Sequence, residues 1–390
     1  MRDLLLGSSP KDFDIATNAH PEEVDALFRN ARMIGRRFRL VHVRFGREII
    51  EVATFRAPPG SSGASAEHAL QKESGRILRD NVYGSMEEDA ERRDFTVNGL
   101  YYNIRDFSVV DYWGGLEDLS LGVLRLIGDP AQRYREDPVR MLRAVRFVAK
   151  LGFRLAPETE SPIGGLASLL ADVPPARLYE EVLKLFMNGQ ALSTFESLRH
   201  YELFGYLFPE TDKVLNGADG EFYKCFIQHA LRNTDTRIKE EKHVTPAFLF
   251  AALLWPARQK HLEKWNCEKQ TEVEAMHEAA AKTLTAQIAA VSLPKRFSLP
   301  MREIWMMQPR LLRNSGQRAM RLVQHKRFRA AYDFLLLRNQ AGEKDLDELA
   351  QWWTSFQELN ENEQGTEARN NRNPRRRKKS TSKHSDDKPS

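Results

Sequence analysis

The segment KDFDIAT (11–17) sets two carboxylates, Asp12 and Asp14, two residues apart. It reads as a strand, in which residues two apart share a face at a separation of about 6.5 Å. Like charges that close raise each other's pKa unless a cation lies between them or both face water. Hard divalent cations take such oxygen ligands, and Mg²⁺ is commonly held by one or two carboxylates together with substrate phosphates. Two such ions can clamp the attacking and leaving oxygens of phosphoryl or nucleotidyl transfer. As a bare pattern, the spacing fits a solvated strand edge or turn better than a metal site.

A second constellation lies in REDPVRMLRAVRF (135–147). Pro138 suits the first turn of a helix. Asp137 and Arg140, three residues apart, are then neighbours on one face. Adenine's Watson–Crick edge offers an amino donor and a ring-nitrogen acceptor. A carboxylate accepts from the first and a guanidinium donates to the second. Guanine and uracil present a donor at the ring position, which Arg140 opposes. Cytosine presents the same pattern as adenine, so the pair excludes G and U without separating A from C. Arg143 and Arg146 continue around the same helix. The competing reading is an ordinary ion pair on a helix surface.

Several elements must position these groups. PEEVDALFRNA (21–31) predicts a helix opened by Pro21 with acids in its first turn. FRLVHVRFGREIIEVATFR (38–56) predicts two strands turning at Gly46 and Arg47. The stretch 57–75 is small, polar and rich in Gly and Ser, which predicts a mobile surface loop. EEDAERRDFTVNGLYYNI (87–104) predicts a helix with a strand at its end. DYWGGLEDLSLGVLRLIG (111–128) predicts a turn, a short helix and a short strand, with Gly114 and Gly115 permitting close backbone approach. From about residue 129 the pattern is almost wholly helical. The class is therefore α+β: a mixed first third and then an all-α array.

The bulk composition bounds the rest. A chain of 390 residues that is 41% hydrophobic can bury a core and divide into two or three domains. The cysteines, Cys225 and Cys267, are too few for a disulfide framework, which predicts a reducing compartment. The sequence has no apolar run of about 18 residues, so the expectation is a soluble, cytoplasmic protein with no membrane partner. A net charge of +5 favours a polyanionic partner. The basic block NPRRRKKSTSK (373–383) is expected to be disordered and drawn to phosphates. The stretch 310–338 spaces Arg and Lys among Leu, Val and Phe, either as a basic binding face or as a solvated one.

Taken in order, RDLLLGSSPKDFDIAT (2–17), RRDFTVNGLYY (92–102), DYWGGLEDL (111–119), REDPVRMLRAVRF (135–147) and PPARLYEEVLKLF (174–186) form one series. The chain resembles the class II nucleotidyltransferases, the family of tRNA CCA-adding enzymes and poly(A) polymerases. The segments 35–56, NTDTRI (233–238) and PAFLFAALLW (246–255), with the Arg-rich end, are similar to its bacterial poly(A) polymerase branch. The resemblance implies a small nucleotidyltransferase-type mixed-sheet head over 1–120, an all-α neck over 121–200 that reads the base, an all-α body over 201–345 that guides RNA, and a disordered basic tail over 346–390. The family's first motif is ordinarily preceded by a strand and a glycine pair. Here Met1 and Arg2 open the chain, so the head is expected to be N-terminally incomplete.

The resemblance also implies roles. Asp12 and Asp14 would hold two Mg²⁺ ions. Asp94 would be the next catalytic acid, completing the carboxylate cluster or holding the ribose. Glu51 competes with it as the third carboxylate, and a helix-terminal cap is the other use of Asp94. Arg2 and Arg93 would meet the triphosphate as guanidinium forks. Asp137, Arg140, Arg143 and Arg146 would bind the rest of the nucleotide. Asp118, Glu181 and Lys184 would brace the fold. For Tyr112 and Trp113 the two readings are stacking on a base and core packing, of which core packing is the expectation. The implied reaction is template-independent transfer of AMP from ATP to RNA 3′ ends, linked to RNA processing and decay, with decay proteins as partners through the tail. The alternatives are CCA addition to tRNA and an inactive, truncated RNA-binding protein.

Overall fold

The computed structural model describes residues 1–10, 13–35, 39–58, 82–265, 270–359 and 363. Asp12, the loop beyond residue 58, Cys267 and the basic block 373–383 lie outside the described residues. The chain divides into two compact units. One comprises Met1–Val173 with His200–Leu203, and the other Pro174–Arg199 with Phe204–Ser390.

The first unit opens with α1 (Arg2–Leu5), β1 (Asp14–Thr17), α2 (Pro21–Leu27), β2 (Ala31–Ile34), β3 (Leu40–Phe45) and β4 (Glu48–Thr54). The four strands form one sheet in the order β1-β4-β3-β2, with β1 parallel to β4 and the other pairs antiparallel. Alternation along the strands divides its two faces. Val41, Val43 and Val52 turn to one side and bury against Val24 of α2. The intervening residues turn to the other side. There Asp14 is in register with Glu51, Glu51 with His42, and His42 with Arg32. Gly46, at φ 62°, makes the turn between β3 and β4 where the sequence places it. The helix expected over 21–31 stops at Leu27, because Phe28 is extended and Ala31 pairs with Val43.

The unit continues through α3 (Met86–Glu91), a 3-10 turn (Thr96–Asn98), β5 (Leu100–Tyr102), β6 (Val109–Asp111), α4 (Gly115–Leu121) and β7 (Val123–Leu124). Then come α5 (Pro130–Glu136), α6 (Val139–Leu151), β8 (Arg154–Leu155), α7 (Pro157–Glu160) and α8 (Ile163–Leu166). Ser85 and Glu88 form a capping box that starts α3. Gly115 answers the expectation of close approach: a Cβ there would lie 2.4 Å from the Thr96 carbonyl oxygen.

The second unit is helical: α9 (Pro175–Phe186), α10 (Ala191–His200), α11 (Phe204–Leu207), α12 (Pro209–Leu215), α13 (Gly220–Lys239), α14 (Pro246–Leu253), α15 (Trp255–Leu262), α16 (Glu272–Ala290), α17 (Lys295–Leu311), α18 (Gly316–Val323), α19 (Phe328–Gln340) and α20 (Asp347–Glu358). Its helices continue past residue 345, with α20 lying where the tail is expected to begin. Trp353 and Phe356 of α20 are buried in a cluster with Leu311, Leu322 and Phe328, which holds that helix in place. No helix among the described residues is long and apolar enough to cross a membrane.

Candidate active site

Two carboxylates stand in register on the face of the sheet opposite its valine core. Asp14 begins β1 and is exposed, and Glu51 lies directly across from it on β4. Partners in register point to the same face of a sheet. Glu51 also meets His42 of β3, with Oε1 3.1 Å from Nε2. Sequence alone leaves the side of Glu51 open, and the register fixes it. Asp12 lies outside the described residues, and among those residues no three Asp, Glu, His or Cys side chains are grouped to hold a metal.

Asp94 is engaged elsewhere. Its Oδ1 accepts from the Phe95 amide and from Asn98 Nδ2, both at 2.9 Å. Its Oδ2 accepts from Arg143 Nε at 2.7 Å. Burial pushes the pKa of Asp94 up, but the Arg143 charge and these donors outweigh it and hold the carboxyl below the ordinary value. Glu51, rather than Asp94, is thus the carboxylate in register with Asp14.

Three of the expected nucleotide-binding arginines gather about one ring. The guanidinium carbons of Arg2, Arg146 and Arg143 lie 4.7, 4.9 and 5.7 Å from the centre of Phe147. Phe147 is 7% exposed and packs edge-on against Phe95. The hydrogen bonds run in a chain: Arg143 to Asp94, Asn98 to Asp94, and Arg2 to Asn98. Arg2 further pairs with Asp3, which also meets Lys150 at 3.1 Å. An aromatic face supports cations in this way, and a gathered set of guanidiniums is suited to a polyphosphate. Phe147 and Asn98 carry no charge, and sequence reasoning passed over both.

Arg93 sits apart, tied to a buried carboxylate. Asp89, 1% exposed, accepts from Arg93 Nη2 at 3.0 Å, Arg92 Nε at 2.8 Å, the Arg56 amide at 3.1 Å and the Tyr101 hydroxyl. Burial raises the pKa of Asp89, but the Arg93 and Arg92 charges outweigh it and leave it lowered. The Arg93 guanidinium stands 5.8 Å from the centre of Tyr101. Sequence reasoning missed Asp89, although its spacing of three and four from Arg92 and Arg93 is the signal that could have found it.

Asp137 and Arg140 do not form the helix-surface pair that their spacing suggests. Asp137 lies between α5 and α6 at φ −147°, and its Oδ1 accepts from the Val139 amide at 3.3 Å. Arg140, 8% exposed, donates through Nη1 to Glu136 Oε2 at 3.0 Å and to the Arg133 carbonyl at 2.7 Å. Asp118 accepts from Thr96 Oγ1 at 2.7 Å, so it braces α4 against the 3-10 turn. Lys184 donates to Glu181 at 2.8 Å within α9. Tyr112 and Trp113 are 41% and 38% exposed, so they are not core residues as expected. They flank the turn whose amides Asp111 caps.

The architecture is that of CCA-adding nucleotidyltransferases. A Bacillus stearothermophilus CCA-adding enzyme solved with CTP is 27% identical and aligns at a TM-score of 0.58 over 92% of this chain and 76% of its own. A Thermotoga maritima CCA-adding enzyme, at 20% identity and a TM-score of 0.58 over 92% and 76%, shares the fold. Family models match in three stretches: "Poly A polymerase head domain" over residues 1–125, "Probable RNA and SrmB- binding site of polymerase A" over 152–215, and "Polymerase A arginine-rich C-terminus" over 268–385. Poly(A) polymerase I of Salmonella typhi is 50% identical over 359 residues, 92% of this chain and 77% of that protein. Its counterpart in Escherichia coli O157:H7 is 48% identical over 389 residues, 97% and 84% of the two chains. The CCA-adding enzyme of Bacillus subtilis is more distant, at 34% over 59% of this chain and 56% of its own. The chain belongs to the poly(A) polymerase I family.

Proposed function

We propose that this chain is a polynucleotide adenylyltransferase that adds AMP from ATP to RNA 3′ ends without a template. The observation that carries the reading is the register of Asp14 with Glu51 on the face of the sheet opposite its valine core. The pair offers hard oxygen donors, which suits Mg²⁺, and Asp12 of the same motif would complete the set. Bound there, Mg²⁺ would supply Lewis acidity toward the RNA hydroxyl and charge for the triphosphate.

The remaining steps fall to the chain's own residues. Arg2, Arg143 and Arg146 would take the polyphosphate, with Asp94 and Asn98 orienting two of them. The RNA 3′ hydroxyl gives up its proton to solvent, its oxygen forms a bond to the α-phosphorus, the bond from that phosphorus to the α,β-bridging oxygen breaks, and pyrophosphate leaves with that oxygen. Arg140 and Asp137 would meet the Watson–Crick edge of adenine. Arg93 is held by Asp89 at the end of α3, where it would stand for the triphosphate. The basic block 373–383 would add affinity for RNA of any sequence and would be the docking place for RNA-decay proteins. A cytoplasmic setting fits this reaction.

The test is extension of a 5′-labelled oligo(A) primer with Mg²⁺ and each nucleotide in turn. Long products with ATP alone are expected. Glu51→Gln keeps the side chain's size and removes its charge. Its expected loss of rate exceeds the roughly 10–100-fold that groups supporting metal ligands cost. A Glu51→Gln chain as fast as the parent would remove Glu51 from the site. Labelling with CTP alone, on a tRNA lacking its end, would assign CCA addition instead.

A further inference from the structure

Arg133 has no part in the reading above. It lies on α5, is largely buried, and its side chain joins two segments that the reading gives to different parts of the nucleotide. Nη2 donates to the carbonyls of Arg92 and Arg93, at 2.9 and 2.6 Å. Nη1 donates to Glu136 Oε2 at 3.0 Å. That same carboxylate oxygen accepts from Arg140 at 3.0 Å, and Arg140 also donates to the Arg133 carbonyl. Arg140 is therefore fastened twice to the last turn of α5. Arg133 fastens that turn to the backbone just before Asp94.

Stability alone gives little reason for this arrangement. Two largely buried guanidiniums share one carboxylate, and buried charges are costly unless fully paired. Burial and the Arg140 charge together lower the pKa of Arg133, despite the opposing pull of Glu136.

The arrangement answers a problem that hydrogen-bonding pattern leaves open. Adenine and cytosine present the same amino donor and ring acceptor. They differ in reach, because adenine's edge stands farther from the sugar by its second ring. A site whose base reader is held at a fixed separation from the residues that hold sugar and phosphates can tell them apart by length.

We propose that Arg133 is the positioning residue that sets this separation, and that it thereby selects ATP over CTP. The inference rests on the proposed role of Arg140 in base reading. Its test therefore uses equilibrium binding as well as turnover. Calorimetry on the full chain would compare the α,β-methylene analogues of ATP and CTP in the parent, Arg133→Gln and Glu136→Gln, with melting curves for each. The parent is expected to favour the ATP analogue. In Arg133→Gln the ATP-to-CTP affinity ratio should fall by about tenfold, the size of one misplaced hydrogen bond, mainly through weaker ATP binding. Glu136→Gln should shift it in the same direction. A ratio within about twofold of the parent's in folded Arg133→Gln, or equal weakening of both analogues, would overturn the proposal. If Arg133→Gln does not fold, an unchanged ratio in Glu136→Gln would do so. A parent that binds both analogues equally would also overturn it. A parent that binds the ATP analogue selectively and extends no primer would refute the adenylyltransferase reading alone, and the ratios in the variants would still decide the role of Arg133.

Discussion

Burial would ordinarily raise the pKa of Asp94, yet Arg143, Asn98 and the Phe95 amide hold it below the usual value. A folded pKa depressed below the unfolded one adds stability above the unfolded pKa, and that stability is lost as pH falls through the folded value. Asp94→Asn removes the charge and leaves Arg143 without its carboxylate. The expected cost at neutral pH is up to about 3 kcal/mol, as for a buried pair broken on one side. The melting difference from the parent should narrow as pH falls below the ordinary carboxylate value of about 4, where the unfolded chain's Asp94 takes up its proton, and it should close only below the lower value of the folded carboxyl. A difference that stays constant down to strong acid would show that the charge of Asp94 is not what stabilises. Asp94 also illustrates what residue types leave undetermined. Its place in RRDFT marks it as important, but a carboxylate in a sequence can serve as ligand or as anchor. The choice depends on Arg143, 49 residues away. The spacing of Asp12 and Asp14 marks a shared strand face but fits a solvated edge as well as a ligand pair, and only the neighbouring motifs tip that reading. Glu51 became assignable only through a register that pairs two strands with most of the sheet between them in the chain.

At the scale of elements, α4 depends on one glycine. A Cβ on Gly115 would enter the Thr96 carbonyl, so Gly115→Ala must push α4 from the 3-10 turn and strain the Thr96–Asp118 bond of 2.7 Å. Overpacking of this kind costs about 1–3 kcal/mol, and the melting temperature should fall accordingly. Gly114→Ala is the comparison: it meets open space but keeps φ at 75°, a left-handed conformation worth about 1–2 kcal/mol. Equal melting of Gly115→Ala and the parent would mean that α4 can shift without loss. The glycine pair, the hairpin over 38–56 and the long helices were all readable, because turn residues and apolar periodicity are local signals. The strand β2 was not, since ARMI carries no strand-specific alternation and is fixed by its pairing with β3. The helix α20 was hidden similarly: its Trp353 and Phe356 follow a polar, charged turn and gain their meaning from α17 to α19.

Across the whole molecule, the division into a mixed first part and a helical remainder was visible in the change of periodicity, and the excess of positive charge predicted a polyanion. The clamp through Arg133 could not be seen, because its partners are backbone carbonyls 40 and 41 residues upstream, which have no sequence signature. The basic stretch 310–338 can now be sorted by face. On α18, Ala319 and Leu322 enter the core, while Arg318 and Arg321 are exposed. Arg310 and Arg313, at the end of α17, are exposed too. If these arginines track the RNA backbone, replacing Arg318 and Arg321 with Ala should weaken binding about equally for RNAs of different sequence. The slope of log affinity against log salt should also become shallower, by about 0.7 for each phosphate of a single strand that is no longer neutralised. The helix should survive, since its buried residues are untouched and surface substitutions generally stay within about 0.5 kcal/mol. An unchanged salt slope in the double variant, with folding intact, would make this a solvated face and move the RNA path to other basic residues of the chain.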